Sequence, residues 1–298
     1  MHITIIMVVT YILCCVRIRT APWKFWQLNA RYFSSEQGIF SKLSMDSLIP
    51  ERWRLVQEID SDGCEPSRFP VFLKPEWGQN AHGIHRADSH EQLISLRGKL
   101  ANEPQRYLLQ EAAPGLREFE IFSIDANRRD GKHDVFTVTE AINSREAYPI
   151  NSKYNRHTRY ADITSQFTAE QQVQIADYLS QIGEFGISRM SVRADSLEAL
   201  VEGDFHVIEI NLFLPMPINL LDASYNWRQR LQFIGNAMMN LARATQLIEP
   251  QARTQPIFAR MMLYGRFSSD QTMRSKRRRR VASRSPAKSK PRRRYMEL

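Results

Sequence analysis

Residues 191–217, SVRADSLEALVEGDFHVIEINLFLPMP, decide the fold because they predict two strands joined by a turn. Residues 191–195 form the first predicted strand and residues 205–211 form the second. The turn falls at residues 202–204, where Gly203 can adopt a positive φ angle. This stretch therefore predicts a β-hairpin, in which the second strand folds back beside the first.

The second strand alternates in character, and one of its faces carries four side chains: Phe205, Val207, Glu209 and Asn211. Glu209 and Asn211 are thus expected to project side by side, and Asp195 at the end of the first strand can lie opposite them. Carboxylate and amide oxygens are hard ligands, which suit Mg²⁺ better than a soft metal. The alternative is a solvated sheet face, and this stretch alone leaves both interpretations open.

The composition predicts a globular protein with an unusual basic end. The chain has 298 residues, of which 43% are hydrophobic and 10% aromatic, enough for one or two domains with a full core. The net charge of +9 comes entirely from residues 274–298, which hold 12 Lys and Arg and one acid and so contribute +11. The rest has 29 basic and 31 acidic residues, so basicity says nothing about the function of the folded part.

Several common kinds of site are excluded by the sequence. Cys14, Cys15 and Cys64 make neither a disulfide framework nor a metal site, and they suit a reducing compartment. No G-x-G-x-x-G follows a predicted strand and no Walker A motif occurs, so the two best-known nucleotide fingerprints are missing. Any nucleotide site must be built in another way.

Residues 1–16 carry no charge and lie near the lower limit of about 17–25 residues for a membrane span. The basic residues come after this run and not before it, which is unlike a cleaved signal peptide and would keep the rest of the chain cytoplasmic. We expect a membrane anchor here, followed by a basic and aromatic juxtamembrane segment at 17–41, on the cytoplasmic face of the membrane. A buried strand or a misassigned start are the alternatives.

The basic end of the chain, residues 267–298, is predicted to be a disordered tail because its composition cannot build a core. Such a tail can bind an anionic membrane surface. It can also bind nucleic acid by releasing counterions, which is the less favoured partner here. The sequence does not predict an oligomeric state.

A lysine at a strand end is the first upstream feature that suits a phosphate. Lys74 closes the apolar segment FPVFLKP, and a loop with glycines at 78 and 83 follows it. The loop N–H groups can fold over phosphate oxygens while the lysine holds their charge. A solvated lysine is the alternative.

A second upstream feature suits a nucleoside. Gln110 and Glu111 end a predicted strand whose backbone can line the edge of an adenine. Glu118 follows seven residues later, across a turn at residues 114–115, where its carboxylate can accept both ribose hydroxyls. The alternative is that Glu118 and Glu120 are two charges on the wet face of a strand.

Taken together and in order, these segments resemble one family, the ATP-grasp ligases, and in particular the D-alanine–D-alanine ligase-like, carboxylate–amine ligase branch. The resemblance runs from Lys42 to Ile218, and its most specific part is R-x-D followed after a turn by E-x-N. It implies an α+β ATP-grasp fold without a complete N-terminal domain. Residues 42–109 and 110–266 are the expected subdomains that clasp ATP.

The resemblance also implies three groups of site residues. The nucleotide is expected to contact nine of them: Lys42, Lys74, Gly78, Gln79, Gly83, Gln110, Glu111, Ala113 and Glu118. The catalytic residues are expected to be Arg193 and Lys153. Mg²⁺, or Mn²⁺ in its place, is expected to be held by Asp195, Glu209 and Asn211.

The implied activity is an ATP- and Mg²⁺-dependent ligation. A small-molecule or peptide carboxylate is first phosphorylated, and an amine or thiol then attacks the acylphosphate. Such catalysis consists mainly of positioning and charge neutralisation. Residues 212–217 are apolar and name no substrate, so a non-catalytic ATP-binding module is the alternative.

Overall fold

The computed structural model describes residues 2–61, 63–78, 81–103, 105–125, 133–151, 155–248 and 255–261. Within them lie two antiparallel sheets with helices packed on their faces, which confirms the predicted α+β class. Gln79, Lys153 and the predicted tail at 267–298 lie outside the described residues.

The first sheet has four strands in the order β1-β4-β2-β3. Lys74 lies near the end of β2, next to the central strand β4 on which Gln110 lies, and Phe72 is the residue that pairs with Gln110. Both strands are almost wholly buried, which is why this part of the sequence is so apolar. The strands are β1 (Gln57–Ile59), β2 (Val71–Pro75), β3 (His85–Ala87) and β4 (Tyr107–Glu111).

The second sheet has five strands in the order β7-β6-β5-β8-β9. One face of its central strand β5 packs Phe119 and Ile121 into the largest hydrophobic core, while Glu118 and Glu120 belong to the other face. The strands are β5 (Arg117–Ile124), β6 (Val135–Asn143), β7 (Thr158–Asp162), β8 (Ile187–Ala194) and β9 (His206–Asn211).

Six α-helices complete the described part of the chain. The helices at residues 169–182 and 227–246 begin with capping boxes, in which Thr168 and Asn226 exchange hydrogen bonds with the third residue of each helix. The helices are α1 (His2–Arg17), α2 (Lys42–Asp46), α3 (His90–Leu100), α4 (Ala169–Ile182), α5 (Leu197–Glu202) and α6 (Trp227–Gln246). Short 3-10 helices connect several of these elements.

The uncharged N-terminal run is a helix, so the alternative of a buried strand is wrong. One face of α1 packs beside α6 and buries Cys14 and Cys15. The Tyr11 hydroxyl donates to the carbonyl of Pro22 at 3.0 Å, and its oxygen lies 3.4 Å from the Thr245 hydroxyl. Among the described residues, no helix combines the length and the apolar character needed to cross a membrane.

The hairpin that decides the fold differs from its predicted form in register. Helix α5 occupies part of the predicted turn and ends at Gly203, which adopts the expected left-handed conformation with φ +81°. Strand β8 begins at Ile187, and Ser191 is the residue that pairs with Glu209. The expectation that Asp195 lies opposite Glu209 is wrong, because Asp195 is exposed and comes after the end of β8.

A β-bulge explains why the side chains of β9 do not alternate as predicted. Ser191 pairs with Glu209 while Val192 pairs with Val207, so Ile208 is an extra residue on β9. Strict alternation therefore fails, and Val207 and Ile210 both lie in the main core. The bulge matters because it lets Glu209 leave the core face while the apolar residues around it stay buried.

Gly115 makes the turn that links the two sheets. Its φ angle is +107°, and a Cβ atom there would lie 2.9–3.0 Å from the backbone of Ala194. Only glycine fits this position without displacing β8. The linking turn is therefore held directly against the strand that carries Arg193.

Candidate active site

Buried polar side chains from the two sheets meet at one place. The Lys74 side chain is only 5% exposed, and its ammonium donates to the Gln110 carbonyl oxygen. The Gln110 amide nitrogen in turn donates to the backbone carbonyl of Ile208 at 3.2 Å. Gln110 thus connects the lysine of the first sheet to strand β9 of the second.

Lys42 completes this junction from the first turn of α2. Ser41 caps that helix by accepting from the backbone N–H of Ser44, which places Lys42 at the helix start. The Lys42 ammonium lies 3.4 Å from the Glu209 carboxylate and donates to the backbone carbonyl of Pro75 at 3.3 Å. The structure therefore brings Lys42, Lys74 and Glu209 together.

The charges at this junction perturb one another. Burial lowers the pKa of Lys74 to about 8, although the charge of Glu209 opposes that shift. Burial alone would raise the pKa of Glu209, but the charges of Lys42, Lys74 and Arg189 outweigh it and hold that pKa below its usual value. Glu209 is therefore a half-buried carboxylate that stays ionised at neutral pH.

A row of oxygen-bearing side chains crosses the five-stranded sheet at Glu209. Cross-strand pairing places five residues in register, namely Asp162, Thr139, Glu120, Ser191 and Glu209. The Ser191 hydroxyl donates to the Glu120 carboxylate at 2.9 Å, and burial raises the pKa of Glu120. Because residues in register across a sheet share one face, these side chains lie on the same face as Glu209.

Arg189 is the cation that lies beside this row, and the sequence analysis does not predict it. It pairs with Asn211 across the sheet and forms an ion pair with Glu120 at 3.1 Å. The sequence places the R-x-D motif at residues 193–195, whereas the residues opposite Asn211 and Glu209 are Arg189 and Ser191. The signal for Glu120 was present, since its alternation with Glu118 in REFE puts both on one face.

Arg193 has a different environment from the one expected of a catalytic arginine. Its guanidinium donates to the carbonyl of Gly115 at 3.2 Å and to that of Ala147 at 2.9 Å, and it lies 4.7 Å from the centre of the Tyr148 ring. The side chain is 6% exposed. Arg193 is thus engaged in holding the linking turn against the segment that follows β6.

Tyr148 also contacts the first sheet. Its backbone carbonyl accepts from Arg86 of β3 at 3.0 Å, and the Arg86 guanidinium lies 5.9 Å from its ring centre. Tyr148 is therefore flanked by one arginine from each sheet, and such contacts are favourable for an aromatic ring. An open cleft of about 620 Å³ lies beside it, lined partly by Arg86, Arg145 and Tyr148.

The remaining nucleotide residues divide into two groups. Gln110 and Ala113 are buried where β4 leads into the linking turn, and their contact with adenine stays a prediction. The Glu111 carboxylate, in contrast, accepts from the Ser67 N–H at 3.0 Å and from Arg68 at 2.9 Å, so it anchors a loop. Gly78 and Gly83 begin and end the loop after β2, and Gly83 has φ +79°.

Glu118 lies on the same face as Glu120 and pairs across the sheet with Arg193. Its carboxylate accepts from the Asn151 amide at 2.7 Å. Burial raises the pKa of Glu118 to about 7, and the charge of Glu120 adds to that rise. Glu118 is therefore a carboxylate that costs stability when it is ionised without a ligand.

We expect Glu118→Gln to stabilise the protein above pH 7 and to weaken nucleotide binding. The folded protein holds a proton on Glu118 between the ordinary pKa of 4.5 and about 7, so stability is lost as the pH rises through that range. Glutamine removes this loss, which is about 3 kcal/mol at most by linkage. Thermal unfolding of both proteins at pH 5 and pH 8 measures it. An equal shift at both pH values would contradict the explanation.

The oxygen donors of the row fit a magnesium ion. Glu209 and Asn211 are neighbours on one face of β9, and their carboxylate and amide oxygens are the hard ligands that Mg²⁺ prefers. In the described part of the chain, no three His, Cys, Asp or Glu side chains cluster as a metal site. Glu209 and Asn211 would therefore hold Mg²⁺ together with the phosphates of a bound nucleotide.

The comparison with protein families assigns the chain to a class. Residues 35–217 match the family described as the D-ala D-ala ligase C-terminus. Because the match covers more than half of the chain, the protein belongs to that family and to the ATP-grasp superfamily. A search of curated protein sequences found no match.

Three solved structures to which the chain is similar are distant from it in sequence. An L-amino acid ligase from Bacillus licheniformis is 17% identical, with a TM-score of 0.44 over 66% of this chain and 47% of that one. A D-alanine–D-alanine ligase from Bacillus anthracis is 13% identical, with a TM-score of 0.43 over 68% of each chain. The VanG D-Ala:D-Ser ligase from Enterococcus faecalis is 14% identical, with a TM-score of 0.49 over 74% of this chain and 70% of that one. The chain spans about half the length of the first of these.

Proposed function

We propose that the protein is an ATP- and Mg²⁺-dependent ligase that joins a carboxylate to an amine, or to a thiol, through an acylphosphate. The observation that carries this proposal is the convergence of Lys42, Lys74 and Arg189 on Glu209 between the two sheets. Lys74 is buried and Lys42 and Arg189 are partly buried, and these three cations outnumber the two carboxylates beside them, Glu209 and Glu120, so the site has a surplus of positive charge. That surplus suits a triphosphate, whose oxygens also need donors.

The first step breaks the bond between the β- and γ-phosphoryl groups and forms a bond between the γ-phosphorus and a substrate carboxylate oxygen. Lys42 and Lys74 hold the phosphate oxygens, and Glu118 accepts the ribose hydroxyls. Glu209 and Asn211 would hold Mg²⁺, which would neutralise part of the phosphate charge. Gln79 and Lys153 stay candidates for further phosphate contacts.

In the second step the nucleophile attacks the carbonyl carbon of the acylphosphate, the carbon–oxygen bond breaks, and inorganic phosphate leaves. Arg189 is the cation placed beside Asn211, so we assign it the stabilisation of the leaving phosphate. A proton must leave the attacking amine. Glu120, with its raised pKa and its contact with Arg189, is the carboxylate suited to accept it.

One observation favours a second candidate, a module that binds ATP without ligating anything. The residue paired with Glu209 on β8 is Ser191, whose hydroxyl is a weaker metal ligand than a carboxylate. A site in which a serine stands where a ligand carboxylate is expected would bind Mg·ATP but would hold a second Mg²⁺ ion poorly. The two candidates differ in turnover and share nucleotide binding.

An ATP-consumption screen distinguishes them. The full chain is incubated with Mg·ATP and pooled amino acids and peptides, and the release of ADP and phosphate is followed together with the mass of any ligated product. We expect release that requires both an acid and a nucleophile and that stops when EDTA removes Mg²⁺. Binding of Mg·ATP with no release in any pool would favour the module, and absence of binding would refute both candidates.

A further inference from the structure

The outward face of helix α1 is a continuous apolar stripe that the described part of the chain leaves exposed. Its side chains recur at the spacing of one helix face and are all large and aliphatic. Their exposed fractions range from 43% to 66%, and the members are Ile5, Val8, Val9, Ile12, Leu13 and Val16. Exposed apolar surface of this extent normally marks an interaction site.

The opposite face of α1 fixes the direction of this stripe. Tyr11, Cys14 and Cys15 are buried against the core that α6 and the large sheet form. The hydrogen bonds of Tyr11 to Pro22 and Thr245 tie the helix to its surroundings at both edges. The helix therefore presents the six aliphatic side chains outward as a rigid surface, remote in the sheet from the strand ends that carry Glu118.

The charge around the stripe has one sign. Arg17 and Arg19 are exposed at the end of α1. Trp23, a few residues further along the chain, is 73% exposed. The first 35 residues contain four basic residues and no acid, since the first acidic residue is Glu36. Exposed tryptophan and basic side chains beside aliphatic ones are the composition that suits a lipid headgroup boundary.

We propose that α1 lies flat on a bilayer surface that contains anionic lipids, with its aliphatic stripe in the headgroup and acyl boundary and its basic end on the lipid phosphates. A second copy of the chain fits this face less well. It would bring the same uncharged stripe and the same cations, with no acid from the first 35 residues to neutralise them. The surface has no part in the proposed ligation, so it can be tested separately.

Vesicle flotation tests the proposal with the full chain. We expect binding to vesicles of mixed phosphatidylcholine and phosphatidylglycerol and much weaker binding to phosphatidylcholine alone. Leu13→Asp should reduce binding at least about tenfold, since a charged side chain replaces aliphatic surface that the bilayer would bury. Arg19→Gln should reduce it about fivefold, which is the effect of one basic residue near an anionic surface.

The matched control is Ile94→Asp, which places the same charge on α3 at a residue that is 54% exposed. It should leave vesicle binding unchanged, and thermal unfolding should show that all variants fold. If Leu13→Asp floats as well as the original protein, the basic tail carries the binding and the proposal is wrong. A dimer in sedimentation that Leu13→Asp dissociates, without vesicle binding, would also refute it and identify a second copy as the occupant.

Discussion

Replacing Glu209 by glutamine is expected to lower the affinity for Mg²⁺ in the presence of nucleotide at least about 100-fold, and ATP turnover with it. Glu209 is the carboxylate on which Lys42, Lys74 and Arg189 converge, and those charges keep its pKa below the usual value. Glutamine keeps the size of the side chain but removes its negative charge. The three cations then repel an incoming Mg²⁺, and only Glu120 beside Arg189 offsets them.

The measurement is a titration of Mg²⁺ at fixed ATP, read out by calorimetry or by the fluorescence of a bound nucleotide analogue. Asp195→Asn is the matched control, because it removes a carboxylate that the sequence suggested as a ligand and that the structure leaves exposed beyond β8. We expect that variant to bind Mg²⁺ like the original protein. Equal losses in both variants would restore Asp195 to the metal site and refute the pairing of Ser191 with Glu209.

Replacing Lys74 by methionine is expected to weaken ATP binding about 100-fold and to stabilise the unliganded protein. The lysine is 5% exposed, and burial lowers its pKa from 10.5 to about 8. A charge buried at this cost contributes to binding because the triphosphate repays its lost hydration. Methionine fills similar space without a charge, so it keeps the packing and loses the phosphate contact.

The pH dependence has a definite sign. Unfolded lysine keeps its proton up to its ordinary pKa of 10.5, whereas Lys74 in the folded protein loses it above about 8. The free energy of unfolding therefore rises with pH between these values, by about 3 kcal/mol in total if Lys74 acts alone. Nucleotide affinity changes in the opposite direction, because only the protonated lysine holds phosphate. It should fall about tenfold per pH unit above pH 8.

Both signs can be checked with one pair of proteins. Chemical unfolding at pH 7 and pH 10 should show a larger gain in stability with pH for the original protein than for Lys74→Met. Nucleotide binding over the same range should decline for the original protein and stay flat for the variant. A decline of equal slope in both proteins would show that another group carries the titration.

Much of the site was predictable because its residues are close in sequence. Glu209 and Asn211 lie on one strand, and Lys74 ends another, so local alternation and strand limits suffice to find them. The order of these segments along the chain was enough to predict the ATP-grasp class, which the family match confirms. Glu118 follows from the same strand periodicity.

Other assignments depended on contacts that no local pattern contains. Arg193 looked like the catalytic arginine because it precedes an aspartate, yet it bonds to Gly115 and Ala147. The Glu111 carboxylate anchors the loop at Ser67, so the predicted contact of Glu111 with adenine stays a prediction for its backbone. Each of these partners is distant in sequence, and only the packing of the two sheets brings them together.

The amino-acid sequence by itself determined the class of protein, the strand that carries Glu209 and Asn211, and the lysine that faces them. The tertiary structure alone decided which residues of β8 stand opposite that strand. The cause is first the pairing of Arg193 with His206, which places Asp195 beyond the paired strands, and then the bulge at Ile208, which moves the partner of Glu209 from Met190 to Ser191. Because a shift in pairing changes which side chains share the site, Arg189 and Ser191 take the positions that the sequence had suggested for Arg193 and Asp195.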